Sequence, residues 1–490
     1  MLIASVVVVG AIMSILDVTV VNVAINTLAR DFQTTLPTIQ WVSTGYTLAL
    51  ATVIPLSGWA ADRFGTKRLY MTSIVLFVLG SVLSGLAWSV ESLIGFRILQ
   101  GLGGGMIMPA GMTILTRAAG THRVGRVMSV IGVPMLLGPI FGPILGGWLV
   151  DAYSWRWIFF INVPIGAVAL ALSFRILPRD VSRADQRLDW LGLALLSPGL
   201  AAVIYGLAES ASAGGFGNPE VIGPIAAGLV LLGLFVRHAL HADDPLIDLR
   251  LFRNRTFAVS SGTLVLAILA VFGGMLLLPL YLQAVRGESA MASGLLLAPQ
   301  GFGAMLAMPI AGRLTDRTGV GRIVPVGLAL VGLSFLALTQ LEADTSYWAL
   351  SAVLFVMGAG MGATMMPTFS GAMQTLRRSA IARASTTLNI NQQVGASIGT
   401  AVLSVLLANA LADRLPGGGG IGAAASVAPE VRAQIAGPMA DAFASTFWWA
   451  LAFIVIAFVV AVTLLPKDRP LPVDDPDVPE DAAPAPVLVH

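Results

Sequence analysis

Two charges stand where charges are not expected. The chain carries 26 acidic and 28 basic side chains, and nearly all fall between apolar runs or at their ends. Asp17 and Arg97 fall well inside such runs. A carboxylate at mid-bilayer costs about 2.5–3.5 kcal/mol on insertion scales, so Asp17 should face the interior of a helix bundle. A buried acid that exchanges a proton is what proton coupling needs. Arg97 does not release its proton, so its chemistry is to pair with a neighbouring acid and set when that acid is free. Gln100 follows one turn later and could share the network. Two structural readings compete: an acid satisfied by hydroxyls or amides between helices, and an arginine that snorkels to the outer interface. On a helix Asp17 shares a face with Val20, Val21 and Ala24, whereas Asn22 and Asn26 lie together on another.

Other chemistry has little material to work with. The chain has no cysteine, hence no disulfide and no thiolate ligand or nucleophile. There is no G-x-x-x-x-G-K-[ST], so ATP-driven pumping would need another subunit. The histidines, His122, His238, His241 and His490, fall in loops, at a run end or at the terminus. His238 and His241 have the spacing of a helical metal pair, but nothing else supports a metal. No Ser/His/Asp set must converge, so neither a catalytic site nor a cofactor is expected.

The elements that must position Asp17 and Arg97 follow from composition. Of 490 residues, 56% are hydrophobic and 11% charged, and the mean hydropathy is +0.85. A soluble chain is about a quarter charged, so a soluble multidomain enzyme is excluded, as is a disordered chain. The net charge of +2 gives no reason to expect nucleic acid. A spanning helix needs about 20 apolar residues. Fourteen stretches qualify: 4–28, 39–60, 69–88, 92–116, 126–150, 156–176, 188–208, 220–240, 256–283, 292–312, 322–340, 346–370, 382–410 and 443–466. The first lacks a basic n-region and is interrupted by Asp17, unlike a signal peptide. With Met1 inside, only Arg30, Arg156, Arg286, Arg414 and Arg432 fall in outside loops, as the positive-inside rule requires. All 10 tryptophans fall near run ends, which predicts an interfacial belt.

A repeat divides the chain. G-W-A-A-D-R-F-G-T-K-R at 58–68 follows the second run, and G-R-L-T-D-R-T-G-V-G-R at 312–322 follows the tenth. Gly58, Asp62, Arg63 and Gly65 match Gly312, Asp316, Arg317 and Gly319 at one constant offset, with Lys67 and Arg68 completing the first copy. Two six-span halves with two inserted spans are the expected plan. The motif reads as a latch: glycines for a tight turn, an acid to pair across the halves. The competing reading is a solvated loop whose arginines only obey topology. In the fifth run Pro134, Gly138, Gly142 and Gly146 recur every four residues, with Pro139 beside them. Such a face permits close helix contact and bending, and the tenth span is the expected partner. A merely close-packed helix would look the same. Cavity candidates are Gln100 with Asn389, Gln392 and Gln393 of a polar thirteenth run, and Met361 and Met365, adaptable apolar side chains that could equally be packing or lipid-facing. Residues 411–442 read as an outside loop with a short interfacial helix over 427–439.

The motif at 58–68 resembles the cytoplasmic signature of the major facilitator superfamily. L-D-V-T-V-V-N-V-A-I at 16–25, R-I-L-Q-G-L-G-G-G at 97–105, G-V-P-M-L-L-G-P-I-F-G-P-I-L-G-G at 132–147 and W-R-W-I-F-F-I-N-V-P-I-G at 155–166 resemble its fourteen-span drug:proton antiporters, the EmrB/QacA subfamily. The resemblance covers residues 1 to about 466. It implies an all-α membrane protein of the major facilitator fold: a six-helix bundle at 1–180, two linker helices at 181–245, a second bundle at 246–466 and a disordered cytoplasmic tail at 467–490. It implies alternating-access export of amphipathic, cationic drugs against protons, with Asp17 and Arg97 in proton coupling and Pro134, Gly138, Pro139, Gly142 and Gly146 as the antiporter motif. The implied partners are the lipid bilayer, small amphipathic molecules and protons, with no nucleic acid and no second subunit. The implied setting is a bacterial cell membrane with both termini cytoplasmic. Export of an endogenous lipid, siderophore or natural product remains an alternative, and a membrane-embedded transferase a more distant one.

Overall fold

The apolar runs fold as helices. The computed structural model describes residues 2–119, 141–142, 145–150, 152–178, 187–210, 215–377, 380–415 and 429–467, and among these there is no strand. The helices are α1 (Leu2–Asp31), α2 (Leu36–Val53), α3 (Leu56–Phe64), α4 (Thr66–Gly85), α5 (Val90–Ala119), α6 (Trp157–Phe160), α7 (Asn162–Ile176), α8 (Trp190–Glu209), α9 (Pro219–His241), α10 (Arg255–Ala284), α11 (Ala290–Thr318), α12 (Val320–Leu338), α13 (Tyr347–Gln374), α14 (Ile381–Arg414) and α15 (Pro429–Leu464). Among the described residues twelve helical segments are long and apolar enough to cross a membrane, and α2 with α3 makes a thirteenth, bent by 55°. The bend falls at Pro55, which has no N–H to continue the ladder. The expected fifth run lies largely outside the described residues, although 141–142 and 145–150 are helical.

Local sequence sets the starts. Thr35, Asp189, Asn218, Asn254 and Ser289 each accept a hydrogen bond from a backbone N–H in the first turn of α2, α8, α9, α10 and α11, which satisfies a donor the helix itself leaves open. The two motif copies share a conformation as well as letters. Gly65 has φ 89° and ψ 148°, and Gly319 has φ 89° and ψ 157°. A side chain at either position would be strained, so both copies turn between helices in the same way.

Two packing groups result. In the first, α5 lies along α2 and α4, and α1 rests on α5 and α7. In the second, α11 and α12 pack on α13, α14 packs on α10, and α15 packs on α10 and α12. The groups meet where α14 touches α3 and α5, at the end of the bundle carrying Arg63, Arg117 and Arg383. There Ser57 and Thr386 place their hydroxyls 3.0 Å apart, and Ser385 donates to the Pro109 carbonyl at 3.3 Å. Helix α8 lies against both α2 and α14: Ser197 donates to the Thr52 carbonyl at 2.6 Å, and Leu196 and Leu200 share a buried cluster with Ile54 and Ile390.

Three expectations need correction. Residues 429–439 are not a separate interfacial helix but the start of α15, which runs unbroken from Pro429 through Pro438 to Leu464. Trp155 does not face outward as a belt residue would: it is buried at the end of α1, where its indole donates to Asp31 at 2.8 Å. Gly142 and Gly146 do not reach the tenth span. They lie against Thr19 and Val20 of α1, where a side chain at 142 would meet that of Thr19 and one at 146 would press on Val20. Pro134, Gly138 and Pro139 lie outside the described residues.

Candidate functional site

Asp17 sits on the face of α1 that also carries Val20, Val21 and Ala24, and all four are buried. The polar side chains of α5 come to meet it. Gly101, Gly103 and Gly105 let α5 approach so closely that added side chains would meet the Tyr46 carbonyl at 2.5 Å, the Phe77 nitrogen at 2.5 Å and the Leu50 carbonyl at 2.6 Å. Lipid tails are as apolar as leucine, so such close backbone packing is what binds membrane helices. It also brings Arg97, one turn before Gly101 on the same face, against α2, and Gln100 beside it within reach of Asp17 on α1.

Arg97 and Asp17 form an ion pair with Nη1–Oδ2 2.6 Å, and neither side chain is exposed beyond 1%. Nη1 also donates to Gln100 Oε1 at 2.8 Å, and Nε donates to the Val42 carbonyl at 3.2 Å. The guanidinium lies over the Tyr46 ring, 4.1 Å from its centroid, a cation–π contact. The second carboxylate oxygen, Oδ1, accepts from Gln100 Nε2 at 2.8 Å and from Asn162 Nδ2 at 3.0 Å. Asn162 Nδ2 also donates to Ser81 Oγ at 3.0 Å, and Ser81 donates to the Phe159 carbonyl at 2.8 Å. Three donors and no acceptor face Asp17, the arrangement of an ionised acid. Arg97 does not snorkel. Removing one partner of such a pair costs about 3–5 kcal/mol, because the other charge is left buried alone.

Asp17, Arg97 and Gln100 are therefore brought together. Gln100 is completely buried and gives both ends of its amide to this network, so it does not line a cavity. Asn162, Ser81 and Tyr46 escaped the sequence reading. Asn162 stood inside the quoted run at 155–166, where an amide among aromatic and aliphatic residues was the available signal. Tyr46 and Ser81 carry no such signal.

The remaining cavity candidates do not form one cluster. Asn389 is buried and donates to the Ser385 carbonyl at 2.8 Å. Met361 is buried and accepts from Gln300 Nε2 at 3.1 Å. Gln392, Gln393 and Met365 are half-buried.

Of the latch residues, Gly58 and Asp62 lie at the contact between the two groups. Gly58 lies against Thr386 and Arg383 of α14. Asp62 pairs with Arg117 of α5 at 3.2 Å and stands 4.0 Å from Arg383, which also reaches Asp244 at 3.5 Å. Lys67 donates to the carbonyls of Phe174 and Leu177, at 2.8 and 2.6 Å, and so holds the C-terminal end of α7. In the second copy Asp316 accepts from Gln374 at 3.2 Å. Arg63 is half-buried, and Arg68 and Arg317 are exposed. His238 binds Asp189 at 2.8 Å, while His241 turns to the Arg237 carbonyl. Among the described residues no three metal-binding side chains converge.

A multi-pass helical membrane protein with a dehydrated ion pair inside one of two packed groups is built as a membrane carrier. The sequence profile of the Major Facilitator Superfamily matches residues 7–400. A multidrug resistance protein B homolog of Mycobacterium tuberculosis (strain ATCC 25618 / H37Rv) is 50% identical over 400 residues, covering 81% of this chain and 74% of that protein. The multidrug export protein EmrB of Escherichia coli (strain K12) is 32% identical over 390 residues, covering 79% and 76%. Among solved structures, the human organic anion transporter MFSD10 (TETRAN) superposes with a TM-score of 0.63 at 15% identity, over 94% of this chain and 99% of that one. The chain belongs to the major facilitator superfamily, within its EmrB/QacA branch, and has the major facilitator fold. It is a transporter of small molecules rather than an enzyme.

Proposed function

We propose that the protein exports amphipathic, cationic drugs across the bacterial cell membrane in exchange for protons, by alternating access and without a cofactor. The observation that carries this reading is the sealed cluster of Asp17, Arg97, Gln100 and Asn162, which holds the one mid-span acid where a proton reaches it only after the helices rearrange. The relatives named for multidrug resistance and export support the choice of cargo. Residues 1–180 and 246–466 act as the two moving halves, with 181–245 inserted between them and 467–490 as a tail. Both termini and the arginine-rich end face the cytoplasm, as the positive-inside rule favours. Contact of the halves at that end then corresponds to a carrier closed on the inside. A proton moving inward down 100 mV releases about 2.3 kcal/mol, enough for a modest drug gradient. A single chain, surrounded by lipid, carries out the cycle.

Dye transport into everted vesicles, with and without a protonophore, tests the reading. The wild type should move dye uphill until the protonophore is added. Asp17→Asn should lose uphill transport by at least about tenfold, the equivalent of roughly 1.4 kcal/mol of lost coupling. Full proton-driven transport by that variant would sink the assignment.

A further inference from the structure

Among the described residues two side-chain atoms of the buried cluster have no partner, the Tyr46 hydroxyl and the Asn162 side-chain oxygen, and of these two residues only Asn162 is hydrogen-bonded to Asp17. Asn162 is 1% exposed, and its side-chain oxygen Oδ1 makes no hydrogen bond. A buried polar atom left unpaired is costly and calls for an explanation. The orientation of the amide is dictated by its neighbours. Its nitrogen stands 3.0 Å from Asp17 Oδ1 and 3.0 Å from Ser81 Oγ. An ionised carboxylate only accepts, and the Ser81 hydroxyl already donates to the Phe159 carbonyl. Both positions therefore demand a donor, and the amide must present its NH2 to them. The carbonyl end is turned away into a place that offers it nothing.

That orientation suits one protonation state only. When Asp17 takes up a proton it acquires an O–H that needs an acceptor. Arg97 cannot serve, because a guanidinium has no acceptor atom, Gln100 has its oxygen engaged by Arg97, and the Tyr46 hydroxyl makes no hydrogen bond to Asp17. The charged and titratable groups facing Asp17 are Arg97 from α5 and Tyr46 from α2. Helices α4 and α7 present Ser81 and Asn162, which are neutral, and the described part of the fifth run presents Gly142 and Gly146.

We propose that Asn162 is a positioning residue for proton coupling that serves both states of Asp17 by reversing its amide. In the ionised state its nitrogen donates to Asp17 and Ser81. On protonation a proton from solvent bonds to Asp17 Oδ1, the amide turns by half a revolution, and its oxygen accepts from the new O–H. The Ser81 hydroxyl lets go of the Phe159 carbonyl and donates to the second lone pair of that oxygen, in place of the two hydrogen bonds the amide nitrogen gave up. The unpartnered oxygen is thus an acceptor held in reserve for the protonated acid. This inference rests on the reading of Asp17 as the proton carrier.

The test uses the full-length protein in membranes and infrared difference spectra between high and low pH. A carboxylic acid C=O stretch that disappears in Asp17→Asn reports protonated Asp17. In Asn162→Leu that band should move to higher wavenumber, because the acid has lost the acceptor for its O–H. In everted vesicles the same variant should lose uphill dye transport by about tenfold, the scale of one buried hydrogen bond to a charged group, yet keep dye counterflow, which needs no net proton movement, within about twofold. Asn162→Thr keeps a hydroxyl that both donates and accepts, and should retain uphill transport within about threefold. If Asp17→Asn leaves the band in place, the reading of Asp17 fails and this proposal with it. If Asp17→Asn removes the band but Asn162→Leu leaves it unshifted, the proposal alone is overturned. Equal loss of counterflow and uphill transport, or a threonine variant as inactive as the leucine one, also overturns it.

Discussion

At the residue scale, the cluster depends on hydrogen-bond geometry as much as on charge. Arg97 reaches Asp17, Gln100 and the Val42 carbonyl at once while its flat face lies on Tyr46. Only a planar fork of donors does all four. Lysine would keep the charge but present a compact ammonium with no face to stack. Arg97→Lys is therefore expected to weaken uphill transport at least about tenfold despite preserving charge, since each lost charged hydrogen bond is worth about 1.5–3 kcal/mol. Initial rates of dye uptake in vesicles at fixed protein content check this. Rates equal to wild type would mean that charge alone suffices.

Helices carry the residue-scale state outward, and the fifth run is the nearest route. Gly142 packs on Thr19, two residues beyond Asp17, and Gly146 packs on Val20. A methyl group at 142 would collide with the Thr19 side chain. We expect Gly142→Ala to reduce transport by an order of magnitude, overpacking costing about 1–3 kcal/mol. The double variant with Thr19→Gly, which removes both colliding side-chain atoms, should restore most of it. A double variant no better than the single one would show that the glycine serves something other than this contact. The motif copies give a second lesson at this scale. Lys67 and Gly321 occupy equivalent positions. The lysine side chain holds the carbonyls at the end of α7, whereas Gly321 uses its own N–H on the Pro466 carbonyl, at 3.1 Å. At 321 a side chain would strike that carbonyl. Each copy secures the last helix of its group by different chemistry.

Across the whole molecule, the two groups touch through small hydroxyl residues and one acid. Asp62, Ser57 and Gly58 face Arg383 and Thr386. Alternating access requires this contact to open. The chain is free of cysteine, so a single engineered pair reports on it cleanly. Ser57→Cys with Thr386→Cys should form a disulfide under oxidation, the hydroxyls being 3.0 Å apart. Transport should stop when the bond forms and return when it is reduced. Unimpaired transport by the fully oxidised protein would show that these helices do not separate during the cycle.

The apolar spans, the repeat and the burial of Asp17 and Arg97 were legible in the chain, because burying a charge in lipid and satisfying every backbone group are constraints that single segments obey on their own. The glycine at the turn of each motif copy was legible for the same reason: its backbone conformation is a local matter. What the tertiary structure decided is which side chains share a point in space. Asn162 lies 145 residues from Asp17 in sequence, and no local rule brings them together. Gln100 fits both the ion-pair network and a cavity lining by position and type, and the close approach of α5 to its neighbours decides for the network. The glycine face of the fifth run likewise states that something packs closely, while only the fold names α1 as that neighbour. Local physics determines segments one at a time; pairings between them follow from packing all of the helices at once.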